Sequence, residues 1–227
     1  MELRIISIGC LDAHPLWEET GPVRTGHATT SLVRADDKII LIDPGLPKQI
    51  ITARLAERAN LKPSDITHVF LTSFRPDLRR GIEAFESAVW WISEAERESV
   101  GVPLVGELQR AAELGGDDEL QEALEREVAI LKQCDVAPDQ LATNVSLFPL
   151  SGVTPGLAGV LLSEARHTTL ICGDAIPTVE HLEQGKAPKW AVDINQALES
   201  ITEAIEIADL LVLGRDNLVV NPTKRPF

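Results

Sequence analysis

Positive charge is scarce in this chain. Lys and Arg number 21 against 35 Asp and Glu, a net charge of -14, which is the wrong sign for a surface that grips a phosphate backbone. No nucleic-acid partner is expected. Cysteine is sparse too: Cys10, Cys134 and Cys172 form no closely spaced pair and leave one thiol over. That pattern argues against a disulfide framework or a thiolate zinc site and fits a reducing compartment. No apolar run approaches the ~20 residues that span a bilayer, so no membrane association is expected. The apolar stretch ending at Gly9-Cys10 falls short of the roughly 7 to 15 residues of a signal-peptide core, and the expected location is the cytoplasm. Also missing are internal repeats, low-complexity linkers, a Walker A loop and a dinucleotide fingerprint.

What remains is a 227-residue chain with 44% hydrophobic residues, long enough to bury a sizeable core within one α/β domain. Short Ile-, Leu- and Val-rich runs at 3–8, 31–34 and 38–42 read as strands, the last two joined by a hairpin turn at Asp36-Asp37. Ile50, Ile51, Leu55 and Ala56 share one helical face within 47–59, where Pro47 suits a first turn. A strand at 66–72, a short helix over about 79–85 and a strand at 88–92 follow. Between 94 and 135 the composition turns acidic, 12 acidic against 4 basic residues, and helix formers dominate. Ser93 with Glu96, and Asp118 with Gln121, have capping-box spacing, and Gly115-Gly116 divides the two helices. This stretch reads as a helical insertion whose charge solvates an outer face, with a docking surface for a basic partner as the other reading. Strands at 145–148, 159–163 and 168–172 then suggest a second antiparallel sheet, the last two joined through 164–167. A helix capped by Asp193 and a short strand at 210–213 close the pattern. Two β-layers covered outside by helices is the architecture these elements imply.

Strand ends that run into small or polar turns are where α/β proteins carry functional groups. Five such junctions stand out: Asp43-Pro44-Gly45, Thr72 to Arg80, Gly152 to Gly159, Gly173-Asp174, and Gly214-Arg215-Asp216-Asn217. The segments around them are Ile40-Leu41-Ile42-Asp43-Pro44-Gly45, Phe70-Leu71-Thr72-Ser73-Phe74-Arg75-Pro76-Asp77-Leu78-Arg79-Arg80-Gly81, Thr154-Pro155-Gly156-Leu157-Ala158-Gly159, Leu170-Ile171-Cys172-Gly173-Asp174-Ala175 and Gly214-Arg215-Asp216-Asn217. In order and content they resemble the metallo-β-lactamase superfamily over nearly the whole chain. The resemblance implies a single four-layer αββα sandwich over 1–227, with 94–135 as the insertion, and a metal-dependent hydrolase ancestry.

It also implies where metal ligands should stand, and most are gone. The family's histidine positions hold Ser73, Arg75, Leu78, Leu157 and Arg215, and of its carboxylates Asp77 and Asp174 remain. Zinc takes three or four His, Cys or carboxylate ligands, so the resemblance points to a centre without its metal, and no zinc or other cofactor is expected. Without metal a bound water has no activator, and the hydrolytic chemistry of the family is expected to be absent.

Two readings of the arginines are open. Arg75 and Arg215 can serve as internal counter-ions for Asp77 and Asp174, since a buried unpaired carboxylate costs several kcal/mol. Alternatively Arg75, Arg79 and Arg80, with His27 at the cleft mouth, hold a carboxylate or phosphate ligand, unless Arg79 and Arg80 are merely a solvated first helical turn. The leading functional expectation is a non-catalytic protein that binds a small anionic ligand or a protein partner. The alternative is a hydrolase of an ester, thioester or lactone that uses a relocated metal site or none, supported by Asp77 or His27. The other candidates have bland readings. His14 and His27 are loop histidines, His68 packs within a strand, and His167 and His181 fall outside the ligand positions. Cys172 is a small buried residue, Ser73 lacks a general base, and Trp17 lines the cleft or covers an edge.

Overall fold

The computed structural model describes residues 1–114 and 118–224, without the side chain of Leu114; the Gly115-Gly116 break lies outside the described residues. Twelve strands form two six-stranded sheets. The first comprises β1 (Glu2–Ser7), β2 (Thr30–Ala35), β3 (Lys38–Ile42), β4 (His68–Leu71), β5 (Val89–Ile92) and β6 (Cys134–Val136), side by side in chain order. The second comprises β7 (Gln140–Ala142), β8 (Val145–Pro149), β9 (Ala158–Ser163), β10 (Thr168–Ile171), β11 (Leu210–Val212) and β12 (Leu218–Val220), also laid out in chain order. β1 to β3 are antiparallel, as the hairpin at Asp36 requires; β3 to β6 run parallel. The second sheet is antiparallel except that β10 and β11 run parallel.

Alternation along each strand assigns the layers. Ile40 and Ile42 point to a core between the sheets, with Phe70, Trp91, Val160, Ile171 and Val212. Leu41 points the other way, joining Val69, Leu71 and Ile92 beneath α1 (Lys48–Ala59), whose Ile51 and Leu55 are fully buried. On the far side Leu170 and Leu211 pack under α5 (Ile194–Ile207) through Ala197, Ile201 and Ala204. Strands buried on both faces read as continuous apolar runs, and the result is the four-layer αββα sandwich expected. α5 starts where Asp193 accepts a bond from the Gln196 N–H at 3.0 Å, a cap legible in the sequence.

Local detail departs from the sequence reading in one element and adds others. The proposed helix over 79–85 is a pair of 3-10 turns, Pro76–Leu78 and Ile82–Phe85. The short strands β6, β7 and β12 and the helix α4 (Val179–Gln184) were not foreseen. The acidic stretch is the crossover between β5 and β6: α2 (Glu94–Leu114) and α3 (Asp118–Gln133) carry the chain from one parallel strand to the next. Leu131 and Cys134 of this stretch belong to the core beneath the helices.

Candidate functional site

The five junctions meet at one end of the two sheets, and close backbone approaches lock them together. At the end of β3 the chain turns through Asp43, a non-glycine residue at φ 50°. Its buried carboxylate accepts bonds from the Thr72 N–H at 2.9 Å and the Thr72 hydroxyl at 2.7 Å, joining this junction to the end of β4. At the end of β10, Gly173 takes φ 53°, and a Cβ there would stand 2.5 Å from the Thr72 hydroxyl oxygen. Only glycine fits that position. Gly214, at the end of β11, lies so close to Gly173 that a Cβ would meet its carbonyl oxygen at 2.3 Å. These contacts place Asp77, Asp174 and Arg215 within reach of one another.

Glu96, in the first turn of α2, secures two of the loops. Its carboxylate accepts bonds from the Phe74 N–H at 2.9 Å, the Thr154 hydroxyl at 2.6 Å and the Gly156 N–H at 3.2 Å. The reciprocal capping box expected for Ser93 and Glu96 is therefore only half realised. The Ser93 hydroxyl accepts the Glu96 N–H at 3.1 Å, while the Glu96 side chain turns to the site loops instead.

At the centre is an arginine-carboxylate cluster. Arg215, 4% exposed, donates from Nε to Asp174 Oδ1 at 2.7 Å and from Nη2 to Asp174 Oδ2 at 2.6 Å. Its Nη1 lies 2.6 Å from Asp77 Oδ2. Arg75 Nε donates to Asp77 Oδ1 at 3.3 Å and lies 3.5 Å from Asp174 Oδ2. The two arginines thus converge on the two aspartates, and the fork geometry of Arg215 is the bidentate arrangement that guanidinium favours.

Burial opposes ionisation of Asp77, but Arg215 and then Arg75 more than offset it and hold the carboxyl below its ordinary range. Arg215 is likewise desolvated, and Asp174 and Asp77 more than compensate, binding its proton more firmly than usual. Asp43 behaves oppositely. Burial pushes it up to about 7, with Asp174 adding to the rise and the Thr72 bonds and Arg215 opposing it.

The residue types at the family's ligand positions do not fit a dinuclear metal centre. Ser73, Leu78 and Leu157 are buried and offer no strong donor. The only carboxylates at those positions are occupied by guanidinium, whose charge would repel a divalent ion. Among the described residues, no group of three or more His, Cys, Asp or Glu could hold a metal ion.

Arg75 lies over the Trp190 ring, 5.5 Å from its centroid. Beside it is a small cavity of about 100 Å³ lined by Asp12, Arg75, Asp77, Arg80, Trp190 and Arg215, among others. Arg80 donates one bond to the Gly26 carbonyl at 2.8 Å and is otherwise exposed.

The remaining candidates are dispersed. Arg79 is buried and turned away: it donates to the Phe74 carbonyl at 3.1 Å, pairs with Glu127 of α3 and lies over the Phe74 ring. It is neither an anion-cleft residue nor a solvated turn, because α3 covers it. His27 bridges to Cys10, with Nδ1 3.6 Å from Sγ, and lines a different cavity. Its proton affinity is lowered, by burial first and then by Arg215 and Arg80. His14 stacks on Trp17 and lies 3.1 Å from both Thr178 Oγ and Glu180 Oε2. His181, 2.9 Å from Thr178 Oγ, is pushed down to about 4, chiefly by burial. His68 stacks against Trp91, and His167 faces Glu164. The Cys172 thiol is fully buried, which raises its pKa. The Ser73 hydroxyl is buried without a partner, so no base addresses it.

Asp43, Glu96 and Trp190 were missing from the sequence-derived site. Asp43 had a signal, since it opens a named junction; Trp190 had none, because it lies far from every junction in sequence.

The profile of the metallo-beta-lactamase superfamily matches residues 23–212. Among solved structures, the chain is similar to AidC, a dizinc quorum-quenching lactonase in complex with a product. The TM-score is 0.65 at 18% identity over 88% of this chain and 76% of that one. A Thermotoga maritima protein classed with the metallo-beta-lactamases gives a TM-score of 0.68 at 19% identity, over 96% and 98% of the two chains. The hydrolase AbOPH, of the beta-lactamase superfamily, gives 0.61 at 18% identity over 91% and 82%. No curated protein sequence matches. With that match over most of its length, this chain belongs to the metallo-β-lactamase superfamily.

Proposed function

We propose that the chain is a non-hydrolytic member of the superfamily in which arginine takes the place of metal, and that the cavity beside the cluster binds a small anion through Arg75 and Arg80. The supporting observation is the Arg215 fork, which engages Asp174 with two bonds and Asp77 with a third contact. Carboxylates that would ligate metal are neutralised from within, and no activated water is available to attack a carbonyl. A cavity of about 100 Å³ suits a carboxylate or phosphate group rather than a protein segment. The exposed parts of Arg75 and Arg80 supply the charge that such a group needs.

Two assays on the purified protein test this reading. Hydrolysis of an ester, a thioester and a lactone is followed with zinc added and then chelated, and acetate and inorganic phosphate are titrated in parallel. The expected result is no zinc-dependent turnover, together with saturable anion binding that Arg75→Ala and Arg80→Ala weaken. Zinc-dependent turnover, or anion binding indifferent to both substitutions, overturns the proposal.

A further inference from the structure

A second cavity, of about 640 Å³, lies between the end of β1 and α1, and it shares no lining residue with the arginine cleft. Its volume falls in the range of small-molecule sites. One side of its lining is apolar, formed by Ile6, Leu46 and Ile50. Two of its isoleucines, Ile8 and Ile50, remain 50% and 49% exposed. Large apolar side chains left half in water around a concavity mark a surface that a ligand would desolvate.

The polar lining has one sign. Its charged members are Arg54 and Arg58, one helical turn apart on α1, and no carboxylate lines the space. In a chain carrying -14 net charge, that is a local reversal. Arg54 is paired with Glu57 at 2.9 Å on the exposed helix surface, an arrangement of little energetic weight. The Arg58 guanidinium has no ion pair among the described residues.

We infer that this cavity is a binding site for an amphiphilic anion: a medium-length hydrocarbon body lies against Ile6, Ile8, Leu46 and Ile50, and an acidic head group is held by Arg54 and Arg58. The head-group chemistry common to the possible ligands is an oxyanion, a carboxylate or a phosphate monoester, either of which guanidinium can grip in bidentate fashion.

The test uses the full chain carrying Arg75→Ala and Arg80→Ala, which remove the anion grip of the arginine cleft, at neutral pH in calorimetric titrations with octanoate, octyl phosphate and octanol. Octanoate or octyl phosphate is expected to bind saturably at one site per chain, and octanol far more weakly; the preferred anion identifies the head group. The Arg54→Gln/Arg58→Gln variant, altered only at exposed positions, should lose affinity by about tenfold or more, since tenfold is ~1.4 kcal/mol. Ile50→Asp in the same background should abolish binding. Equal affinity for octanol, no saturable binding of either anion, or retained affinity in the Arg54→Gln/Arg58→Gln variant would overturn the inference. Binding seen only in the parent chain, with Arg75 and Arg80 intact, would also overturn it, because the ligand would then belong to the arginine cleft.

Discussion

Arg215 is a buried charge held between two carboxylates. Its guanidinium is almost fully buried against an equally buried Asp174, and removing one partner strands the other. Arg215→Ala is expected to destabilise the protein by about 3–5 kcal/mol, whereas Arg215→Met combined with Asp174→Leu should cost much less, because no buried charge is left alone. Chemical denaturation of the three proteins provides the comparison. Asp43 gives a second prediction. Its carboxyl ionises near 7 in the fold against 3.8 in the unfolded chain. Between those values the native state holds a proton that the unfolded state has lost, so this residue's contribution to stability falls as pH rises from about 4 to about 7. Asp43→Asn should therefore gain stability relative to the parent across that window and remain ahead above it. Urea unfolding at a series of pH values checks the sign, and a difference that does not grow with pH would contradict it. His181, held near 4 against an ordinary 6.5, contributes the opposite slope over the same window, so only the difference between variant and parent is diagnostic.

At the scale of elements, the first turn of α2 governs how the site loops are held. Glu96→Ala leaves two backbone N–H groups and the Thr154 hydroxyl without their acceptor. A loss of about 3 kcal/mol or more is expected, with Glu96→Gln falling between variant and parent. Thermal unfolding of both variants measures it. The same turn shows how sequence reading reaches its limit. The spacing of Ser93 and Glu96 correctly marks a helix start, but it cannot reveal that a carboxylate will choose loops from 22 and 58 residues away in sequence over its own cap. Apolar runs such as Lys38–Ile42 and 210–213 disclosed their strands, whereas β6, β7 and β12 are three residues each and offer no apolar run of four. The convergence of Arg75 and Arg215 on Asp77 and Asp174 was legible because the resemblance put all four at the family's ligand positions. The turn of Arg79 toward α3 was not, since it depends on Glu127, 48 residues on.

Across the whole molecule, the acidic crossover is tied to the rest by Leu131, Cys134 and the Glu96 bonds. Limited proteolysis is therefore expected to yield no stably folded fragment from 94–135; release of one would mean that the stretch is a separate unit. No helix among the described residues is long and apolar enough to cross a membrane. In the proposed function arginine takes the electrostatic role of metal in this fold. Elemental analysis of the dialysed protein, paired with thermal unfolding in the presence and absence of chelator, tests it most directly, because a metal held by the native state must stabilise it by linkage. No stoichiometric zinc, iron or manganese and an unchanged melting temperature are expected. One or two metal ions per chain that survive dialysis, with a melting temperature that falls when they are chelated, would contradict it.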